Sequence, residues 1–399
     1  MFRGTAIGQI IAVLGSLYLA KLYGTDAYGV FGVFVSIISI FSIISTLQLE
    51  KNIVIAKNLL SAKNWYHFLG IVVLLVSVLL VAGIYFLSEQ HILKNITPHL
   101  IICVFLGGIL FSFFTVNESF FIFKKKFKLL SNSKILLTLI NVSFQIILYS
   151  RYEIYGLIYG YIISQFLIVI FFYFQNLKFP AHIYFHSIKN ELKSNPTIIK
   201  YLLPGNTINA FAIHLMPVLI VTFFDKAQAG VYFFTMKLLT APLFLISSSV
   251  SQVYFQKISE LYLSKRSEIL KITKKLVRGN LLLMFFILLL INTLGIYLLE
   301  LYLHRDWQHI SMFTLGLSFL IFARTSFNPV SSLIVVLNKN HISLLFNSYL
   351  LSVNLIAVYV GHLQNTITVT IVILSVFGGI GYFLLLLYFL NVLKKLKNV

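Results

Sequence analysis

The sequence predicts an all-α integral membrane protein with twelve transmembrane helices in two halves of six. Three observations carry this. Hydrophobic residues make up 59% of the 399-residue chain and charged residues 11%, against about a quarter charged in a soluble domain. The mean hydropathy is +0.93, and too little polar surface remains to solvate a globule of this size. The apolar residues fall into runs of the length that crosses a bilayer, about 17–25 residues, and the basic residues fall into blocks between those runs.

Read on that rule, the spans are 4–20, 29–49, 66–88, 100–123, 131–149, 155–174, 203–223, 229–253, 279–299, 311–335, 342–360 and 367–391. The opening stretch, MFRGTAIGQIIAVLGSLYLAKLYG, has the outline of a signal peptide but no convincing small-x-small cleavage site, and many spans follow it. It therefore reads as the first transmembrane helix. The fifth span opens with Ser131, Asn132, Ser133 and Lys134 and is the least apolar start of the twelve.

Alternate loops differ sharply in charge. With the N-terminus placed in the cytoplasm, 24 of the 31 lysines and arginines fall inside, among them Lys51, Lys57, Lys63, the KKKFK block at 124–128 and Lys394, Lys395 and Lys397. Five fall outside: Lys21, Lys94, Arg151, Lys226 and Arg305. This positive-inside bias places both termini of a multi-pass protein in the cytoplasm. It also explains the net charge of +20 as topology, with no nucleic-acid partner. The longest outside loops, 89–99 and 300–310, have about eleven residues, which leaves no room for an extracytoplasmic domain.

The stretch 175–202 separates an N-terminal lobe, residues 1–174, from a C-terminal lobe, residues 203–399, as a cytoplasmic linker. Sliding one half over the other by 201 residues sets TDAYGVF (25–31) against KAQAGVY (226–232). Each is a short polar turn ending in Gly-Val-aromatic and opening a long apolar helix. Six spans per half would relate the lobes by an axis along the membrane normal, a repeat common in secondary transporters. The segment 254–278 sets Ile258, Leu261, Tyr262, Ile269, Ile272 and Leu276 near one helical face with cations opposite. It suits a helix on an anionic leaflet and equally a plain connecting helix.

No zinc, P-loop or nucleophile-elbow motif is present, so no catalytic residue and no cofactor is expected. The one cysteine, Cys103, excludes an internal disulfide. GLIYG at 156–160 and Gly378, Gly379 and Gly381 read as sites of close helix packing. What remains are charges inside spans. Lys237 stands alone in an apolar run from Ala229 to Phe255, about 12 Å from the outer end of its span. A cation at a helix centre costs roughly 2.5–3.5 kcal/mol, so it either snorkels or faces something wet. Arg324 lies nearer the middle of the tenth span, with Pro329 after it to bend the helix. Glu118, near the inner end of the fourth span, can pair with Lys124–Lys126 or serve as a protonatable coupling group. His214 is the mid-span histidine, three residues before Pro217. Two cations and few anions in the membrane suggest an anionic substrate, phosphate above all.

RGTAIGQIIAVLGSLYLAKLYGTDAYGVFGVFVSII, TLQLEKNIVIAKN, AGVYFFTMKLLTAPLFLISSSVSQVYFQKISEL and ARTSFNPVSSLIVVLNKNH resemble bacterial polysaccharide (O-antigen and capsule) flippases. These belong to the multidrug/oligosaccharidyl-lipid/polysaccharide exporter superfamily. The resemblance implies a V-shaped pair of six-helix lobes and alternating access. Its cargo would be an undecaprenyl-diphosphate-linked oligosaccharide, moved from the inner to the outer leaflet without enzymatic chemistry. Lys237, with Arg324, Arg3 and His214, would be cavity cations for the diphosphate, and Glu118 would couple transport to a proton or sodium gradient. The protein would act as a monomer among membrane lipids, with the polysaccharide polymerase and chain-length machinery as candidate partners. Two features depart from the family pattern: no basic segment precedes the first span, and Gln48 replaces the basic residue common two positions before Glu50. The alternatives are a cation-coupled drug exporter or a peptidoglycan-precursor flippase of the same fold, and from another class a polysaccharide polymerase or acyltransferase.

Overall fold

A computed structural model describes residues 2–89, 97–176, 183–194, 203–264, 266–303 and 307–397, without the side chains of 2–6, 176, 194, 242–249, 252, 263, 264, 266, 267, 396 and 397. The described residues contain helices and no strand. They divide by contact into two units, 1–230 and 231–399. In the first lie α1 (Phe2–Ser45), α2 (Glu50–Val54), α3 (Leu59–Glu89), α4 (Pro98–Phe123) and α5 (Phe127–Tyr152). After these come α6 (Gly156–Asn176), α7 (Phe185–Ser194), α8 (Leu203–His214) and α9 (Met216–Phe223). Helix α10 (Lys226–Ser264) crosses the division. The second unit continues with α11 (Arg266–Leu290), α12 (Ile296–Tyr302), α13 (Ile310–Phe327), α14 (Leu333–Val336), α15 (Asn340–Leu363) and α16 (Ile367–Lys397).

Eight helical stretches of the described residues are long and apolar enough to cross a membrane, nine if a bent pair counts as one span. Two of the eight, Ile7–Ser45 and Phe127–Gln175, have 39 and 49 residues, far more than one crossing needs. Each holds two expected spans with a break between them. In α1 the break is Gly24, at φ 74 and ψ −178, a conformation only glycine adopts without strain. Between α5 and α6 it is a 3-10 turn, Glu153–Tyr155. The expected seventh span is the bent pair, α8 and α9, at 49°, with Pro217 opening α9. A proline in the first turn forfeits no bond that a helix start would otherwise make.

Two expectations change. The segment 254–278 is not a separate surface helix: its first part completes α10 and its second opens α11. Its apolar residues face protein, with Ile258 and Ile269 fully buried and Tyr254 Oη 2.6 Å from Thr273 Oγ1. Pro329 ends the tenth span where a bend was expected. Helix α13 stops at Phe327 and passes into a 3-10 turn, Asn328–Val330. By contact, residues 203–230 group with the first unit.

The last point has a structural cause. A Cβ on Gly29 would overlap the carbonyl oxygen of Lys226, and a Cβ on Gly230 would overlap that of Thr25. These four residues are the equivalent positions of TDAYGVF and KAQAGVY, so the contact is reciprocal: what one repeat does to the other, the other returns. Helices α1 and α10 approach here to backbone distance, as small residues permit in membranes. Elsewhere in the first unit Gly107 and Gly108 of α4 admit Phe34 and Phe41 of α1, and Gly160 lies against Gln145. In the second unit Gly378 and Gly379 of α16 receive Leu320 and Phe319 of α13. The glycine motifs are packing sites.

Gly230→Leu is expected to destabilise the purified protein by roughly 1–3 kcal/mol through overpacking. Gly83→Leu, where an added Cβ meets nothing within 4 Å, is expected to leave the melting temperature in detergent unchanged.

Candidate substrate-binding cations

Helix α10 starts where Asp225 Oδ1 accepts the Gln228 N–H at 2.7 Å, an N-cap that satisfies one of the free donors of a first turn. Beyond it the helix has two sides. Val231, Tyr232, Phe234, Thr235 and Leu239 are buried, with Phe234 against the Trp307 ring at 4.9 Å. Phe233, Lys237 and Thr240 are half-buried, and their i−4, i, i+3 spacing puts them on one stripe. Lys237 therefore stands on the more open side. Among the described residues its ammonium has no hydrogen-bond or ion-pair partner; the hydroxyl of Thr240, one turn on, bonds back to Met236 O at 2.7 Å.

Arg324 is on α13, the helix around which the second unit is built. Helices α11 and α16 pack on it, and it is held in register by Asn280 Nδ2 donating to Thr325 O at 2.7 Å and Asn292 Nδ2 to Ser318 Oγ at 2.8 Å. The Arg324 side chain is half-buried, and its Nε is buried with no hydrogen-bond partner among the described residues. Its charge acts on Tyr232 of α10. Tyr232 and Lys237 are five residues apart, about 7.5 Å along the axis and about 140° around it. The two cations both belong to the second unit.

The other candidates lie in the first unit. His214 is the last residue of α8, half-buried at the bend before α9. Arg3 is on the first turn of α1, and its side chain is outside the described residues. Glu118 is paired as expected of a carboxylate near lysines, but with a different one: its Oε1 lies 2.5 Å from Lys134 Nζ on α5. Lys124 lies over the Phe120 ring at 4.3 Å. Burial pushes its pKa down to about 8, with Lys126 and Lys63 adding repulsion.

A further carboxylate stands out in three dimensions. Glu50 is 6% exposed, and its Oε2 has no hydrogen-bond partner among the described residues. It follows Leu47 and Gln48, at φ 52 and φ 58, a pair of left-handed residues that turns the chain sharply out of α1. Gln48 Oε1 accepts from Asn206 Nδ2 of α8 at 2.8 Å, a neutral amide pair. Burial raises the Glu50 pKa, opposed by a backbone N–H, Thr46 and Lys51. Its place just after an apolar run, in TLQLE, is the only sequence signal of this burial.

The all-helical array of apolar spans has the fold of the multidrug/oligosaccharidyl-lipid/polysaccharide (MOP) superfamily structures. The fold is shared with an inward-facing multidrug resistance MATE family transporter of the MOP superfamily, at TM-score 0.69 and 13% identity, over 97% of this chain and 96% of that one. It is shared also with the lipid II flippase MurJ in an inward closed conformation, at TM-score 0.71 and 16% identity, over 98% and 86%. A MOP superfamily transporter from Pyrococcus furiosus aligns at TM-score 0.58 and 12% identity, over 99% and 95%. No curated protein sequence matches the chain. A family profile described as polysaccharide biosynthesis protein matches residues 18–312. The chain belongs to that family.

Two measurements follow. Exchanging charges, Glu118→Lys with Lys134→Glu, is expected to restore thermal stability lost in either single variant, since the pair and not the position carries the interaction. For Glu50, a pKa above the ordinary 4.5 means that the folded state binds the proton more tightly than the unfolded chain. Stability is then greatest below that value and falls as pH rises through the raised one. Glu50→Gln is expected to raise the melting temperature at pH 7 and flatten this part of the pH profile.

Proposed function

We propose that this protein is a flippase for undecaprenyl-diphosphate-linked oligosaccharide repeat units, moving them from the inner to the outer leaflet of the bacterial cytoplasmic membrane by alternating access. It would serve O-antigen, capsule or exopolysaccharide synthesis. The observation that carries the reading is Lys237: a half-buried ammonium in an apolar helix with no counter-charge among the described residues. A buried cation without an internal partner is costly, and an anionic head group would relieve that cost while loading. The family's description, polysaccharide biosynthesis protein, supports a glycan as the cargo, and a diphosphate linkage is an anion that such a cation can neutralise.

In this reading Lys237 neutralises the diphosphate and Arg324 contributes a second positive potential from α13. Polar and aromatic side chains meet the sugars, and the polyprenyl tail stays in lipid. A cationic drug would want an anion at these positions, which favours the glycan carrier over a drug exporter. Coupling to a proton or sodium gradient needs a carboxylate that can change its state. Glu118 is engaged by Lys134, and Glu50 is buried with a free oxygen.

The test is complementation of a strain lacking the protein by Lys237→Ala and Lys237→Arg, with expression checked. Loss of one charge-assisted contact should lower surface polysaccharide about tenfold in the Ala variant, while lipid-linked precursor accumulates and Arg retains most export. Normal export by Lys237→Ala overturns the assignment.

A further inference from the structure

A cavity of about 1050 Å³ opens between the α2–α3 turn and α7, all within the first unit. Its two walls are firmly joined. Asn64, 3% exposed, pairs with both backbone groups of Tyr184: its Oδ1 accepts the Tyr184 N–H at 2.7 Å and its Nδ2 donates to the Tyr184 carbonyl at 3.2 Å. Glu191 of α7 accepts from Trp65 Nε1 at 2.6 Å, from Ser61 Oγ at 3.1 Å and from Ser187 Oγ at 3.3 Å. Ile188, 2% exposed, is buried among Leu49, Ile53 and Trp65. The wall formed by α7 is therefore part of the folded unit, and the one carboxylate lining the cavity is occupied by three donors.

The rest of the lining is amphipathic and basic. Asn52 is 8% exposed, lines the cavity and makes no side-chain hydrogen bond among the described residues, so a buried carboxamide is left for a ligand. Lys57, His186 and Asn190 stand exposed at the rim. Beside them Ile55 and Leu60 are 62% and 63% exposed, too much aliphatic surface to leave in water at a cavity mouth. Leu60 stands in the first turn of α3, and farther along that helix Ile71, Leu74, Leu75, Val78 and Leu79 are exposed. The mouth thus grades from the apolar surface of α3 to a lysine, a histidine and amides.

We propose that this cavity binds an anionic membrane lipid. Lys57 and His186 hold the phosphate, the Asn52 and Asn190 carboxamides take hydroxyls of a polyol head group, and the acyl chains run past Ile55 and Leu60 onto α3. Charge and shape together select this occupant. A soluble polyol phosphate would satisfy the polar half and leave the aliphatic lip bare, and a zwitterionic lipid would bring an ammonium against Lys57.

Native mass spectrometry of the intact protein tests this, with phosphatidylglycerol, phosphatidylethanolamine and sn-glycerol 3-phosphate as probes. The wild type is expected to retain phosphatidylglycerol in preference to phosphatidylethanolamine. Lys57→Gln should weaken that retention about fivefold, the usual effect of one cation near a membrane anion, and Lys57→Gln with His186→Gln should weaken it further. Lys394→Gln with Lys395→Gln, exposed lysines outside the cavity, should leave it unchanged. Both pairs are surface changes, and unchanged melting temperatures confirm folding. Equal retention by wild type and the Lys57/His186 variant, or equal retention of the two lipids, overturns the proposal. So does displacement of the lipid by equimolar sn-glycerol 3-phosphate, which would assign the cavity to a soluble phosphate.

Discussion

Hydrocarbon offers no partner to a peptide N–H or carbonyl, and every other feature of this chain is arranged around that constraint. Helices meet it internally, which is why the described residues contain no strand. The hydroxyls inside spans meet it the same way. Ser112, Thr115, Thr138, Thr222, Thr240, Thr314 and Ser318 each bond back to the carbonyl four residues earlier. A chain can carry many such polar residues through a membrane at little cost. Lys237 and Arg324 are not accommodated in this way, because sharing a backbone carbonyl does not offset the desolvation of a full charge.

With apolar side chains on all faces, water cannot sort the helices, so their register depends on shape and a few cross-helix bonds. Ser45 Oγ meets Ser112 Oγ at 2.7 Å, Tyr66 Oη donates to Asn117 Oδ1 at 3.0 Å, and Gln145 Nε2 donates to Leu157 O at 2.9 Å. Glycines supply the shape. The reciprocal approach at Gly29 and Gly230 joins equivalent points of two repeats. It also accounts for residues 203–230 packing with the first half of the chain, although they begin the second.

The linker between the halves serves more than connection. Helix α7 is bound to α3 through Glu191 and Asn64, so a good part of 175–202 belongs to the first unit. The same docking builds the cavity at the α2–α3 turn. The lysines that report topology in the sequence, Lys57 among them, thereby acquire a structural setting in which an anion can be held.

Much was legible from residue order alone. Span lengths, the 24-to-5 division of basic residues and the glycine motifs follow from one-dimensional rules, because the membrane imposes length and charge separately on each segment. The repeat was visible in TDAYGVF and KAQAGVY, and so was Lys237 as a solitary charge. Three matters were decided only by tertiary structure: that Glu118 pairs with Lys134 on the next helix, that 254–278 is two helix ends packed on each other, and that Glu50 is buried. Each depends on which face meets which neighbour. Where nearly every face is apolar, the sequence carries almost no periodicity to reveal this, and packing alone decides.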